Sequence, residues 1–571
     1  MTPLPTRKPY AALPLLWVVV MLVLTLTPAQ EMPRTPEWEL LSFDTAAHAG
    51  VFAVLAALSW FSLRRQGRWP VLARYAAAPV LLSCVLFGAL IEVLQYVMNV
   101  GRHAEWSDLL GDSLGAALAL LLVSGGWRWW HRSRLAAPLL VLLLLGSSLF
   151  FAHTGRAQGV ELVRARRTIE ALAAPNMHGR GYVQQGEHRA AAYLRGRLRQ
   201  LGLQPLAPDF TQPFTLDVNT FPGKLKLEVS DKPLFQPGQP TLQPGRDYIA
   251  APNSAATRAT FAKPLQLDSL LFSNADTAQI WLRREVKFHT LLLTGKQQAR
   301  LSTLPIALQQ HLDSAFAWVT LVPKLTASLA ATQAYQPRLE VLAARWHNGR
   351  LVHMRVDADL KRAYPTQNLA AIVRGSAQPD SFLVVSAHYD HLGMMGKNVY
   401  FPGANDNASG VALLLELAAY YACPENRPAC SVVFLLFGAE EAGLVGSTYF
   451  VQHPLVPLSN IKFLVNLDLL GTGEEGATVV NGRLLPTAFQ RLTALNDAHR
   501  YLPRLTARGA AANSDHYPFS QVGVPAFFLY TRGGSLAYHD INDRPAALSL
   551  AGFAGAYGLV RDFLNASGAR P

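Results

Sequence analysis

The sequence predicts an α-helical membrane bundle of about five spans, followed by an α/β domain whose mostly parallel mixed sheet is flanked by helices and interrupted by a β-rich insertion. Three observations predict it. Five apolar stretches, at roughly 11–27, 44–63, 75–98, 108–124 and 135–152, each approach the ~20 residues that cross hydrocarbon. Three later apolar runs, 383–385, 431–437 and 463–467, read as strands, and each stops at acidic or imidazole residues: His388-Tyr389-Asp390, Gly438-Ala439-Glu440-Glu441 and Asp468. Between them and the membrane part, short apolar runs separated by Pro, Gly and Thr/Gln-rich connections fill about 215–364. The expected units are 1–155 (membrane), 156–214 (helices of the α/β domain), 215–364 (insertion) and 365–571 (the domain's main part).

Basic residues sort the connections between the spans. Arg7 and Lys8 precede the first, Arg64, Arg65, Arg68 and Arg74 fill the second connection, and Arg128, Arg132 and Arg134 the fourth. The first and third hold only Arg34 and Arg102, beside Glu31, Glu37, Glu39 and Glu105. Short loops rich in Lys and Arg stay cytoplasmic. An integral membrane protein with a cytoplasmic N-terminus and everything after about residue 155 outside the cytoplasm is therefore expected. Thr27-Pro28-Ala29-Gln30 resembles a signal-peptide cleavage site, but the alternation of loop charge works only if the first span is retained. The net charge of +13 goes in part to those loops and suits a lipid bilayer surface. No basic stripe with interleaved aromatics points to nucleic acid.

Ionisable residues inside membrane segments are functional candidates. Asp44, His48, Glu92, Gln95, Arg102, Asp108 and Gly115 resemble, in order and approximate spacing, the polar signature of the VanZ-like membrane family, with Asp112 where that family usually has Asn. The resemblance covers about residues 10–125 and implies no defined activity.

Residues 161–173 have helical periodicity and lead into the polar turn Asn176-Met177-His178-Gly179-Arg180-Gly181. A second helix follows, with Ala191, Leu194, Leu198 and Leu201 on one face and Gly202 as its stop. The sheet resumes at 368–373 after the insertion, in which no catalytic cluster is visible. Cys423 and Cys430 flank a Pro-containing turn and are either a disulfide, as an exported domain permits, or two free thiols.

The strand-end residues have the chemistry of a two-metal centre. Two ions ~3.5–4 Å apart clamp attacking and leaving oxygens and generate hydroxide near neutral pH, and a bridging carboxylate sets that separation. Asp406, in the turn 403–410, is the candidate for the bridge. His388 is a candidate ligand, and Asp390, two residues on, is placed to receive its other ring N–H. His391 is expected to point to the opposite side. Adjacent side chains diverge, so Glu440 and Glu441 suit two jobs, one a ligand and one a proton shuttle.

Ala387-His388-Tyr389-Asp390, 403–410, 438–447, Asn466-Leu467-Asp468, Ser514-Asp515-His516 and Tyr538-His539 together resemble the ordered motif set of the family M28 zinc aminopeptidases, over about 160–210 and 365–567. The resemblance implies two zinc ions: one held by His388, Asp406 and Asp468, the other by Asp406, Glu441 and His539. It makes Glu440 the general base and Tyr538 a hydrogen-bond donor to the tetrahedral intermediate, and it implies a peptide substrate with a free N-terminus. A catalytically inactive relative is the alternative that complete ligands argue against; a cyclase-like or carboxypeptidase-like protein on the same fold is the other.

Overall fold

The computed structural model describes residues 12–26, 43–65, 69–98, 112–113, 115–121, 123, 162–231, 242–347 and 349–568. The chain divides into two compact units, Met1–Glu161 and Leu162–Pro571.

In the first unit, helices Ala12–Leu26, Phe43–Arg65 and Ala77–Met98 coincide with three of the expected spans. Met21, Phe52, Trp60, Val80, Ile91 and Ala116 form a small core, and the Trp17 indole donates to the Val51 carbonyl at 3.1 Å. A Cβ on Gly115 would lie 2.1 Å from the Ala49 carbonyl, so two backbones meet where that glycine was singled out. Outward positions are apolar as well: Leu13, Leu16, Leu82, Leu86, Leu90 and Leu121 are exposed. Among the described residues, no helix is long and apolar enough to cross a membrane. Asp44, His48, Glu92 and Gln95 fall within helices, Asp112 is buried, and Arg102, Asp108 and the expected fifth span lie outside the described residues.

The second unit is built on a nine-stranded mixed sheet. Its centre is four parallel strands in the spatial order Cys430–Phe437, Gln378–His388, Ile461–Leu467 and Ala526–Thr531. Leu383, Val385, Val432, Phe434 and Val465 face one core, and Phe382, Val384, Val433, Leu435 and Leu464 face another. Burial on both faces explains why these strands read as continuous apolar runs. Helices Gly410–Ala422 and Phe553–Gly568 cover the first face, and Phe450 and Phe519 cover the second. From Gln378–His388 the chain moves to Cys430–Phe437 on one side and then to Ile461–Leu467 on the other. That reversal opens a crevice at the carboxyl ends of the strands, the usual ligand position in such sheets. His388 pairs in register with Phe437, so the imidazole and the Gly438–Glu441 turn leave the sheet at one level.

The insertion is not simply β-rich. Its seven-stranded sheet has Leu225–Ser230 and Tyr248–Ala250 at its edges, and the strands Thr257–Gln266, His289–Thr294, Ala317–Val322 and Arg338–Leu342 are mutually parallel. Helices Ala275–Arg283, Gly295–Arg300 and Ile306–Asp313 lie between them. Two carry readable caps: Asn274 accepts from the Thr277 N–H, and Thr294 and Gln297 form a capping box. The flanking strands Thr211–Thr220 and Asp359–Val373 pair with each other in the main sheet. Cys423 and Cys430 are free thiols, the first exposed and the second buried.

Candidate metal centre

The turn that carries Asp406 is stitched to the strand ends by its neighbours. The Asn407 amide donates to the Leu467 carbonyl at 2.9 Å and its oxygen accepts from the Gly410 N–H. Asn405 accepts from the Gly471 N–H at 2.7 Å, and the Ser409 hydroxyl from the Leu470 N–H at 2.8 Å. These bonds set Asp406 beside Asp468. Gly403 is required: its φ is +57°, and a Cβ would lie 2.2 Å from the Asp406 carbonyl.

The four expected ligand side chains around Asp406 converge on it from both sides. Asp406 Oδ1 is 3.3 Å from His388 Nε2, which is 3.4 Å from Asp468 Oδ1. Asp406 Oδ2 is 3.1 Å from His539 Nε2, which is 3.2 Å from Glu441 Oε2. Each oxygen of one carboxylate therefore faces a different imidazole–carboxylate pair. Glu440 groups with His388 and Asp468, within 4.8 Å of one another, and Glu441 with Asp406. Ser386, Asn466 and Ser514 pass a hydrogen-bond chain to Asp468 Oδ2, whereas Asp468 Oδ1 is buried with no hydrogen bond of its own. A buried carboxylate oxygen without a donor, amid imidazoles and other carboxylates, fits a cation such as zinc, whose ligands are His and Asp/Glu.

Two expectations are corrected. Asp390 does not take the His388 Nδ1–H principally through its carboxylate, which is 3.8 Å away; its backbone carbonyl is nearer, at 3.2 Å. The carboxylate instead accepts the backbone N–H groups of Glu440 at 3.1 Å and Glu441 at 3.4 Å, so it holds the two glutamates in place. His391 does not point away from the site, because the strand ends at His388 and its alternation ends with it. The His391 Nδ1 lies 2.6 Å from Glu441 Oε1. Tyr538 stands exposed, its ring stacked on His539 at 4.0 Å, and Asp515 and His516 are fully buried.

Three supports escaped the sequence reading. The fully buried Arg180 donates to the carbonyls of Leu172, Tyr389, Pro402, Gly403 and Asp406, placing a cation beneath the acidic cluster. Asp543 accepts the N–H groups of Asn405 at 2.8 Å and Asp406 at 3.0 Å. Ala439 and His539 hold positive φ, +58° and +54°, backbone strain of a kind that gathers at functional sites. The Asn176–Gly181 turn was a signal for Arg180; Asp543 had none.

Electrostatics separates the adjacent glutamates. Burial pushes the Glu440 carboxyl well above the usual carboxylate range, with Asp515, Glu441 and Asp468 adding to it against the pull of His388. Burial and Asp406 act the same way on Glu441, but His391 and His539 outweigh them and bring it down to about 2. Burial lifts Asp390 to about 7. His539 rises to about 11, because Asp406 and Glu441 overcome the desolvation that would lower it.

Residues 368–564 match the profile of Peptidase family M28, and residues 6–129 that of VanZ/LLP1. A probable zinc metalloprotease of Pyricularia oryzae is 41% identical over 113 residues, 19% of this chain and 22% of that protein. Aminopeptidase YwaD of Bacillus subtilis is 29% identical over 219 residues, 36% of this chain and 44% of that protein. An aminopeptidase of Pseudomonas aeruginosa is 34% identical over 160 residues, 26% and 28% of the two chains. The chain thus spans less than half the length of these curated relatives. The solved zinc aminopeptidase from Bacillus subtilis has a TM-score of 0.53 at 19% identity, covering 72% of this chain and 95% of that one. A Peptidase M28 precursor from Shewanella amazonensis gives 0.52 at 15%, covering 72% and 97%. Both likenesses are of fold. A segment that matches the Peptidase family M28 profile thus follows one that matches the VanZ/LLP1 profile.

Asp543→Ala strands two buried N–H groups at the Asp406 turn. Zinc affinity, read by chelator competition, is expected to fall ~10–100-fold, with Asp543→Asn, which keeps one acceptor, in between. Unchanged affinity in folded Asp543→Ala contradicts the support assigned to it.

Proposed function

We propose that this protein is a membrane-anchored, exported di-zinc aminopeptidase that hydrolyses N-terminal residues from peptides. One observation carries the reading: the two oxygens of Asp406 face His388 and His539 at 3.3 and 3.1 Å, each imidazole paired with a further carboxylate. His388, Asp406 and Asp468 would hold one zinc ion and Asp406, Glu441 and His539 the other. Bound there, zinc would supply acidification of water and polarisation of a scissile carbonyl. Glu440 takes the proton from the attacking water and returns it to the leaving amine. Its raised affinity for a proton suits that task, while Glu441, held charged by His391 and His539, suits a ligand. Tyr538, exposed beside His539, donates to the developing oxyanion.

Anchoring in the bilayer is supported by the VanZ/LLP1 match and by helices whose outward positions are apolar. Loop charges orient the N-terminus inside and the peptidase segment outside.

The two glutamates are expected to fail differently in a zinc-dependent assay of aminoacyl reporters. Glu440→Gln drops turnover by ~10² to 10⁴ with both ions bound. Glu441→Gln loses or weakens one ion and regains part of its activity with excess zinc. Loss of an ion from Glu440→Gln, or full zinc affinity with no turnover in Glu441→Gln, contradicts the assignment.

Topology is tested separately by reporter fusions after residue 155. They are expected to be active only outside the cytoplasm; activity confined to the cytoplasm reverses the orientation.

A further inference from the structure

One segment of the insertion passes directly beside an expected metal ligand. After the strand Ala317–Val322, the chain leaves the insertion's sheet and passes His539 at Ala327. The Ala327 N–H donates to the His539 carbonyl at 2.9 Å, and the Ala327 carbonyl accepts from His539 Nδ1 at 2.9 Å. One residue of the insertion thus grips both the backbone and the ring of an expected ligand.

A carbonyl only accepts hydrogen bonds, so this contact requires the proton on Nδ1. In the neutral ring, Nε2, which faces Asp406 Oδ2 and Glu441 Oε2 at 3.1 and 3.2 Å, is then the nitrogen that offers a lone pair to a cation. Fixing the tautomer and ring plane of a ligating histidine by bonding its other nitrogen is a general device of metal sites. Here the partner comes from 212 residues away in sequence.

The segment is itself anchored on several sides. Leu325 and Ala327 are buried in the insertion's core with Leu339, Val341, Val352 and Met354. The Ala330 carbonyl accepts from the Asn219 N–H at 2.8 Å. Leu329 packs against the cluster that contains Ala439, the residue before Glu440. Lys324 Nζ donates to the Leu536 carbonyl at 3.2 Å and lies 3.9 Å from the Asp540 carboxylate, clamping the chain on both sides of Tyr538-His539. The cavity at this junction is about 20 Å³, room for about one water, so there is little slack.

We propose that the insertion is a working part of the metal centre: segment 324–330 orients His539, with Ala327 as the positioning residue and Lys324 as its clamp. The insertion thereby sets the zinc affinity of the His539 side but not of the His388 side. This rests on the two-zinc reading.

The test uses the full chain and zinc alone as probe. Ala327→Pro removes the N–H of the pair, Lys324→Met removes the clamp, and Lys324→Arg retains a cation. Stepwise zinc binding is measured by chelator competition, with thermal unfolding of the metal-free proteins as the check on folding. Ala327→Pro and Lys324→Met are expected to weaken one of the two binding steps ~10-fold or more, leave the other unchanged, and recover hydrolysis when zinc is raised; Lys324→Arg is expected to bind as wild type. If Ala327→Pro fails to fold, Lys324→Met decides. Folded variants that bind both ions with wild-type affinity overturn the proposal. A wild-type chain that binds a single ion overturns the two-zinc reading instead.

Discussion

Burying several carboxylates in one place is the constraint on which the rest of this structure depends. Asp390, Asp406, Asp468, Asp515 and Asp543 are all buried near the carboxyl ends of the central strands, with Glu440 and Glu441 beside them. Like charges out of water repel and lose hydration, and such groups are tolerated only when paired, neutralised or bound to metal. The protein answers with Arg180 beneath the Asp406 turn, with His388, His391 and His539 against the carboxylates, and with backbone N–H groups aimed at Asp390 and Asp543. Asp468 Oδ1, close to His388, and the oxygens of Asp515 are left without a hydrogen bond. A divalent cation is the partner that the remaining oxygens and imidazole nitrogens share.

The architecture follows from that need. Parallel strands packed on both faces end together, so one imidazole, two glutamates and one aspartate emerge at a common level without individual positioning. Asp406, whose two oxygens face both imidazole–carboxylate pairs, does not come from a strand. It sits in a turn held by three side-chain bonds to the 467–471 stretch and by Asp543 from beyond His539. Small shifts in any of these move Asp406 relative to both halves of the site.

What could be read in the sequence was whatever obeys local periodicity. Apolar runs stopping at His388, Glu440-Glu441 and Asp468 located the sheet and most of the site, since a strand's end is visible where hydrophobicity stops. Apart from the Leu172 carbonyl, Arg180 and Asp543 act through backbone carbonyls and N–H groups more than 130 residues away, and no pattern of spacing encodes such a contact. His391 was misplaced because strand alternation was carried past the strand's last residue. The insertion's helices were missed because they are short, 9, 6 and 8 residues, in a segment dominated by Pro, Gly and short apolar runs, although Asn274 and the Thr294–Gln297 capping box announced two of them. In the first unit, three helices fall where apolar length predicts, while Arg102 and Asp108 lie outside the described residues.

Anomalous diffraction at the zinc absorption edge, on crystals of the zinc-loaded protein, tests the central claim most directly. Two peaks are predicted, one on each oxygen of Asp406, the first beside His388 and Asp468 and the second beside His539 and Glu441. A single peak, or two peaks that do not share Asp406, would contradict it.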